Sequence, residues 1–226
     1  MKQKEFLILT STLGGKDKLL DPTHVFDSCD YIAIVDEDHN TNVWKQHRNY
    51  NFSSIDNFSA RRNAKIYKVL SSILFSQYKY IVWHDANFEI TIDPVEIIKE
   101  YGEYDFYTLQ HPTRNCSYQE MKVIQSSGKD DSITVQNQLD YYHSQNFPKN
   151  YGLYAMGNII RKVNSTITTL ELKWWEHITK YSSRDQCSFM YSLWDMKRND
   201  MVVNVKALDG SIDNNTYFRK KGPHLK

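Results

Sequence analysis

Tyr80-Ile81-Val82-Trp83-His84-Asp85-Ala86-Asn87 is the stretch that decides the fold of this sequence. A continuous β-prone apolar run of this length suits a strand buried on both faces, as in a parallel sheet. The run then breaks abruptly into polar residues. Two earlier stretches have the same form. Residues 5–9 lead into Thr10-Ser11-Thr12 and the turn signal Gly14-Gly15, and residues 31–35 lead into Asp36-Glu37-Asp38. Further strands are expected at 104–109, 158–163 and 201–208.

Helices fit between these runs. Over residues 60–75, Ile66, Val69, Leu70, Ile73 and Leu74 follow the i, i+3, i+4 spacing of a buried face. Ser59 can cap the start, and Arg61, Lys65, Lys68 and Ser72 form the opposite stripe. Asp93-Pro94 combines a capping residue with proline at the first turn, which opens a short helix. Ser183 with Gln186 three residues on reads as a capping box for another helix. Strands alternating with helices specify an α/β architecture, with a mainly parallel sheet flanked by helices. Such sheets place ligands beyond the carboxyl ends of their strands, where Thr10, Asp36 and Asp85 sit.

Composition narrows the function. The 226 residues read as one domain, 1–226, with a first half of about 110 residues and a second half over 111–226. A net charge of +1 gives no electrostatic pointer to nucleic acid or to a membrane surface. The first apolar run is too short for a signal peptide or a membrane span. Cys29, Cys116 and Cys187 are scattered and odd in number, so reduced thiols and a cytoplasmic setting are expected. Aromatic residues reach 14%, which suits either a ring-rich core or stacking on sugars and bases. No P-loop, dinucleotide fingerprint or nucleophile elbow is present.

The candidate site starts at Asp85-Ala86-Asn87. Two oxygen-bearing side chains one residue apart can both reach a divalent cation when the chain turns, and such a cation neutralises a departing diphosphate. Asp85 suits a ribose hydroxyl or the metal, and Asn87 suits the metal. The ordinary alternative is a capped turn. Arg61 and Lys65 suit phosphate or ribose, although such stripes are commonly solvated. In the tail Arg219-Lys220-Lys221-Gly222-Pro223-His224, His224 suits Mn²⁺ better than Mg²⁺, and Lys221 suits phosphate. Asp185 in a first helical turn is either a favourable dipole partner or a general base toward an acceptor hydroxyl. Gln186 neighbours it. Trp174-Trp175 can bracket a sugar or fill core, and His111 and Arg114 can bind donor or acceptor.

Six blocks in order carry a resemblance. They are Ala60-Arg61-Arg62-Asn63-Ala64-Lys65, the opening stretch, His111-Pro112-Thr113-Arg114-Asn115-Cys116, Tyr151-Gly152-Leu153-Tyr154, Trp174-Trp175, and Tyr181-Ser182-Ser183-Arg184-Asp185-Gln186-Cys187-Ser188-Phe189. Together they resemble the glycosyltransferase-like family shared by bacterial surface-polysaccharide clusters, large DNA viruses of algae and plant Golgi proteins, over about residues 5–224. The resemblance implies a GT-A fold, a UDP- or GDP-sugar donor and a glycan acceptor. By position it implies Asp85 and Asn87 at the metal-binding triplet, with Mn²⁺ or Mg²⁺. Arg61 and Lys65 fall on the nucleotide side, and Asp185-Gln186 on the acceptor side. The third triplet position is Asn87 rather than Asp. On this reading Thr10 and Asp36 contact base and ribose. Two other classes compete: a sugar-1-phosphate nucleotidyltransferase, and a carbohydrate-binding module without catalysis.

Overall fold

The apolar runs form the strands expected of them. In the computed structural model, which describes residues 4–15, 17–49 and 60–222, β1 (Phe6–Ser11), β2 (Cys29–Val35), β3 (Lys45–Arg48) and β4 (Tyr80–His84) are followed by a short β5 (Phe88–Ile90). Next come β6 (Phe106–Gln110), β7 (Tyr154–Lys162), β8 (Val205–Ser211) and β9 (Phe218–Lys220). Seven of them make one sheet in the order β3-β2-β1-β4-β7-β6-β8. Only β7 runs against the others, pairing antiparallel with both β4 and β6. The sheet is thus mixed and mainly parallel, as expected, and strands from both halves of the sequence share it. β5 and β9 pair antiparallel as a separate ribbon.

Apolar residues alternate to the two sheet faces, and each face carries its own core. Leu7, Leu9, Ile81, Trp83, Phe106 and Ile159 point to one face. It is covered by α1 (Ala60–Val69), α2 (Ser71–Leu74), α4 (Ser117–Ser126), α5 (Ser132–Ser144), α6 (Ser165–Lys180) and α7 (Asp185–Arg198). Phe6, Ile8, Val82, Tyr107 and Ile160 point to the other, where α3 (Pro94–Tyr101) and the β5–β9 ribbon pack. Asp93 caps α3 by accepting from the Val95 N–H at 2.9 Å, with proline in the first turn as anticipated.

Three expectations need correcting. The helix of residues 60–75 is interrupted at Leu70. The Glu171 carboxylate takes the Ser72 N–H at 3.0 Å and the Ser72 hydroxyl at 2.6 Å, and Arg161 donates to the Val69 carbonyl, so side chains replace the continuing helical bonds. The buried face is rotated from the one anticipated: Ile73 and Leu74 are exposed, whereas Asn63 and Lys68 are buried. Ser183 and Gln186 form no capping box either. Arg184 is the N-cap without a side-chain bond, and the Ser183 hydroxyl donates to Asp130. The Ser59 cap lies outside the described residues.

Candidate functional site

A cavity of about 630 Å³ opens at the carboxyl ends of β1 and β4. Its floor is built by the turn after β4. The Asp85 N–H donates to the Gly157 carbonyl at 2.9 Å, which pulls the turn against β7. Thr10 Oγ1 donates to the His84 carbonyl at 2.9 Å and ties the ends of β1 and β4 together. Asp85 Oδ1 accepts from Trp83 Nε1 at 3.0 Å, leaving Oδ2 without a hydrogen bond among the described residues. Asn87 Oδ1 is buried and also unpartnered among the described residues.

At the heart of the cavity lies a charge cluster. Lys65 and Lys68, one turn apart on α1, both reach Asp185 Oδ2 at 2.7 Å, and Lys68 lies 3.3 Å from Asp85 Oδ1. The Lys68 ammonium also lies 5.7 Å from the Trp83 ring centroid. Asp185 is held from its other side. Its Oδ1 accepts from the Gln186 N–H, and its carbonyl accepts from Trp174 Nε1 at 3.0 Å. Burial alone would raise the Asp185 carboxyl, but the Lys65 and Lys68 ammoniums outweigh it and hold it well below the usual carboxylate range. Burial likewise opposes the charge on Asp85, yet Lys68 and Lys65 bring it below its ordinary value. The two lysines differ. Burial lowers Lys65 to about 8 against the pull of Asp185. Lys68 is buried too, but its two carboxylate partners, Asp185 and Asp85, raise it.

Arg61 and Arg184 from the helix side and Lys220 from β9 also line this cavity, as do Asp17 and Asp213. Among the described residues five cations thus line the cavity with four carboxylates, a net charge of +1. Asp85 Oδ2 and Asn87 Oδ1 are hard oxygen donors with no other bond to make, so they fit a divalent cation such as Mn²⁺ or Mg²⁺. Among the described residues no group of three or more His, Cys, Asp or Glu side chains gathers around them. His224, the third ligand expected, lies outside the described residues.

The structure therefore brings together Asp85, Asn87, Lys65, Arg61, Asp185 and Gln186. It separates the others. Thr10 is 1% exposed with its hydroxyl spent on the His84 carbonyl, so it braces the strands and does not line the cavity. Asp36 is exposed on the neighbouring loop, accepting from the Gly14 N–H at 2.7 Å, and does not line the cavity. Trp174 is fully buried core. His111 and Arg114 form their own group with Glu120: Arg114 Nε donates to Glu120 Oε2 at 2.6 Å, and His111 Nδ1 accepts the Arg114 N–H. Lys221 Nζ donates to the Asp21 carbonyl and lies 3.6 Å from Glu89, so Lys220 is the tail lysine that lines the cavity. Asp185, expected as a general base, is held ionised here with its Oδ2 engaged by two ammoniums.

Sequence reasoning missed Lys68 as the buried centre of the site, and it missed Gly157, Arg184 and Lys220. The signal for Lys68 was its place one turn after Lys65, beside Val69. A second cavity, of about 560 Å³, sits at the opposite strand ends around Lys4, Cys29, Asp30 and Tyr78, away from all of these groups.

The chain is similar to several known proteins. Over 141 residues, 57% of this chain, the sequence is 26% identical to an Arabidopsis thaliana protein described as a probable hexosyltransferase, MUCI70. That match spans only 24% of the relative. Among solved structures, mouse xyloside xylosyltransferase 1 overlaps at a TM-score of 0.46 and 8% identity, covering 91% of this chain and 85% of that one. The bifunctional glycosyltransferase WbbM overlaps at 0.47 and 10% identity, covering 92% and 39%. Overlaps this loose carry no residue correspondence. The TOD1/MUCI70 glycosyltransferase-like domain matches residues 1–210, nearly the whole chain, and the chain belongs to that family.

Proposed function

We propose that this chain is a glycosyltransferase that moves a hexosyl group from a UDP- or GDP-sugar to a hydroxyl of a glycan acceptor, in surface-polysaccharide or glycoprotein glycan synthesis. One observation carries the reading. A cavity at the carboxyl ends of β1 and β4 collects an unpartnered carboxylate oxygen on Asp85, an unpartnered amide oxygen on Asn87 and the ammonium of Lys65. That combination suits a diphosphate ester whose charge grows as its bond to the sugar breaks.

In this proposal Asp85 Oδ2 and Asn87 Oδ1 hold Mn²⁺ or Mg²⁺, which supplies Lewis-acid neutralisation of the diphosphate when bound. The net charge of one positive that the described residues give the cavity leaves a doubly charged diphosphate incompletely balanced, which supports a divalent partner. Arg61 and Arg184 sit at the rim, where planar guanidiniums suit phosphate or ribose oxygens. Gln186 is placed toward the acceptor side.

The test is a panel of UDP- and GDP-sugars with this protein, with Mn²⁺ and with a chelator, read by thermal shift and by release of nucleoside diphosphate. Stabilisation by at least one donor, with Mn²⁺-enhanced turnover, is expected. If no nucleotide sugar binds or turns over, glycosyl transfer is the wrong function. An Asn87→Ala variant that keeps the full Mn²⁺ response would remove that residue as a metal ligand.

A further inference from the structure

We infer that Lys65 is the group that contacts the donor diphosphate, and that Asp185, with Lys68 behind it, is the positioning residue that fixes Lys65 there. The inference rests on the donor reading above but is tested by binding alone.

An ammonium carries three N–H donors. Lys68 spends one on Asp185 and one on Asp85, and with its side chain only 1% exposed it offers a ligand far less than Lys65 does. Lys65 spends one on Asp185, and its side chain is 16% exposed toward the cavity. Among the described residues Lys65 thus keeps two donors for a ligand.

Two like charges one helical turn apart repel each other. The two ammoniums stay side by side because Asp185 Oδ2 accepts from both at 2.7 Å. Asp185 cannot swing away, because Trp174 Nε1 and the Ser188 hydroxyl hold its carbonyl and the Gln186 N–H holds Oδ1. The cation is therefore aimed before any ligand arrives, and a preorganised charge needs no rearrangement when negative charge develops. An Asp185 carboxylate engaged in this way orients Lys65 and is not itself the acceptor of a proton.

The test measures binding of inorganic pyrophosphate and of UDP by calorimetry, with EDTA present throughout, to the wild-type chain and to Lys65→Met, Lys65→Arg and Asp185→Asn. The wild type is expected to bind pyrophosphate without metal. Lys65→Met should weaken this about tenfold or more, Lys65→Arg should restore it to within about threefold, and Asp185→Asn should weaken it with the melting temperature followed in parallel. Wild-type affinity in Lys65→Met, or no wild-type binding in EDTA, overturns the inference. Pyrophosphate binding that depends on Lys65, with no turnover of any nucleotide sugar, would support it while removing the glycosyl-transfer reading.

Discussion

Lys68 and Asp185 lie 2.7 Å apart in the wall of the cavity, and the lysine side chain is 1% exposed. A buried ion pair is weak support for stability in itself, but breaking one from one side leaves an uncompensated charge that costs about 3–5 kcal/mol. Lys68→Met would strip Asp85 and Asp185 of a shared partner while keeping most of the side-chain volume. A loss of that size in denaturant unfolding is expected. Adding Asp185→Asn should recover part of it, because the two residues act on one network. Strictly additive losses would show that the pair is not coupled.

A second buried group makes stability depend on pH. His177 on α6 packs against Tyr141, Tyr142, Tyr181 and Tyr191, and burial pushes it down to about 4. The unfolded chain takes up this proton near pH 6.5, the folded chain only near 4, so stability is complete above 6.5 and falls as pH drops through that window. By pH 5, before most carboxylates protonate, the loss is about 2 kcal/mol. His84, also pushed down to about 4 by burial, loses as much over the same range. The melting temperature should therefore fall between pH 7 and 5, and His177→Phe should make the slope clearly shallower, the rest coming from His84 and from His47 and His111, which burial also lowers. An unchanged slope in that variant would exclude His177.

The parts of this architecture that were legible in the sequence are those set by local patterning. β1, β2 and β4 follow from uninterrupted apolar runs, and the start of α3 follows from Asp93-Pro94. The helices α4, α5 and α6 were not legible, because their buried faces carry polar or large aromatic residues. α5, for example, buries Gln138 and Tyr142 beside Val135 and Leu139. The antiparallel insertion of β7 between β4 and β6 is a long-range pairing that no local pattern encodes. At the site, Asp85, Asn87, Lys65 and Asp185 were each visible as chemistry. Their convergence was not, because Asp185 reaches Lys65 from a residue 120 positions away. Lys68 was misplaced for a physical reason: charge argues for solvent, and only two tertiary carboxylates make its burial tolerable.

Gly157 gives a way to touch the site without touching the fold. A Cβ built there would come 2.9 Å from Ile212 Cδ1 and 3.4 Å from Asp85 Oδ2. Ile212 Cδ1 is the tip of a flexible side chain, and its movement is cheap. Asp85 Oδ2, the free oxygen assigned to the metal or donor, would instead be partly covered. Gly210 is the contrasting case, with φ +88 and a Cβ position 2.2 Å from the Asn214 carbonyl oxygen, where any side chain strains the backbone. Gly157→Ala is therefore expected to melt within a few degrees of the wild type and to bind nucleotide sugar at least about tenfold more weakly. Gly210→Ala should lose roughly 1–3 kcal/mol of stability. Parallel melting curves and donor titrations of the two variants separate these effects. Unimpaired donor binding by Gly157→Ala, with or without Mn²⁺, would place the donor away from Asp85 Oδ2, because the added methyl group lies in van der Waals contact with that oxygen.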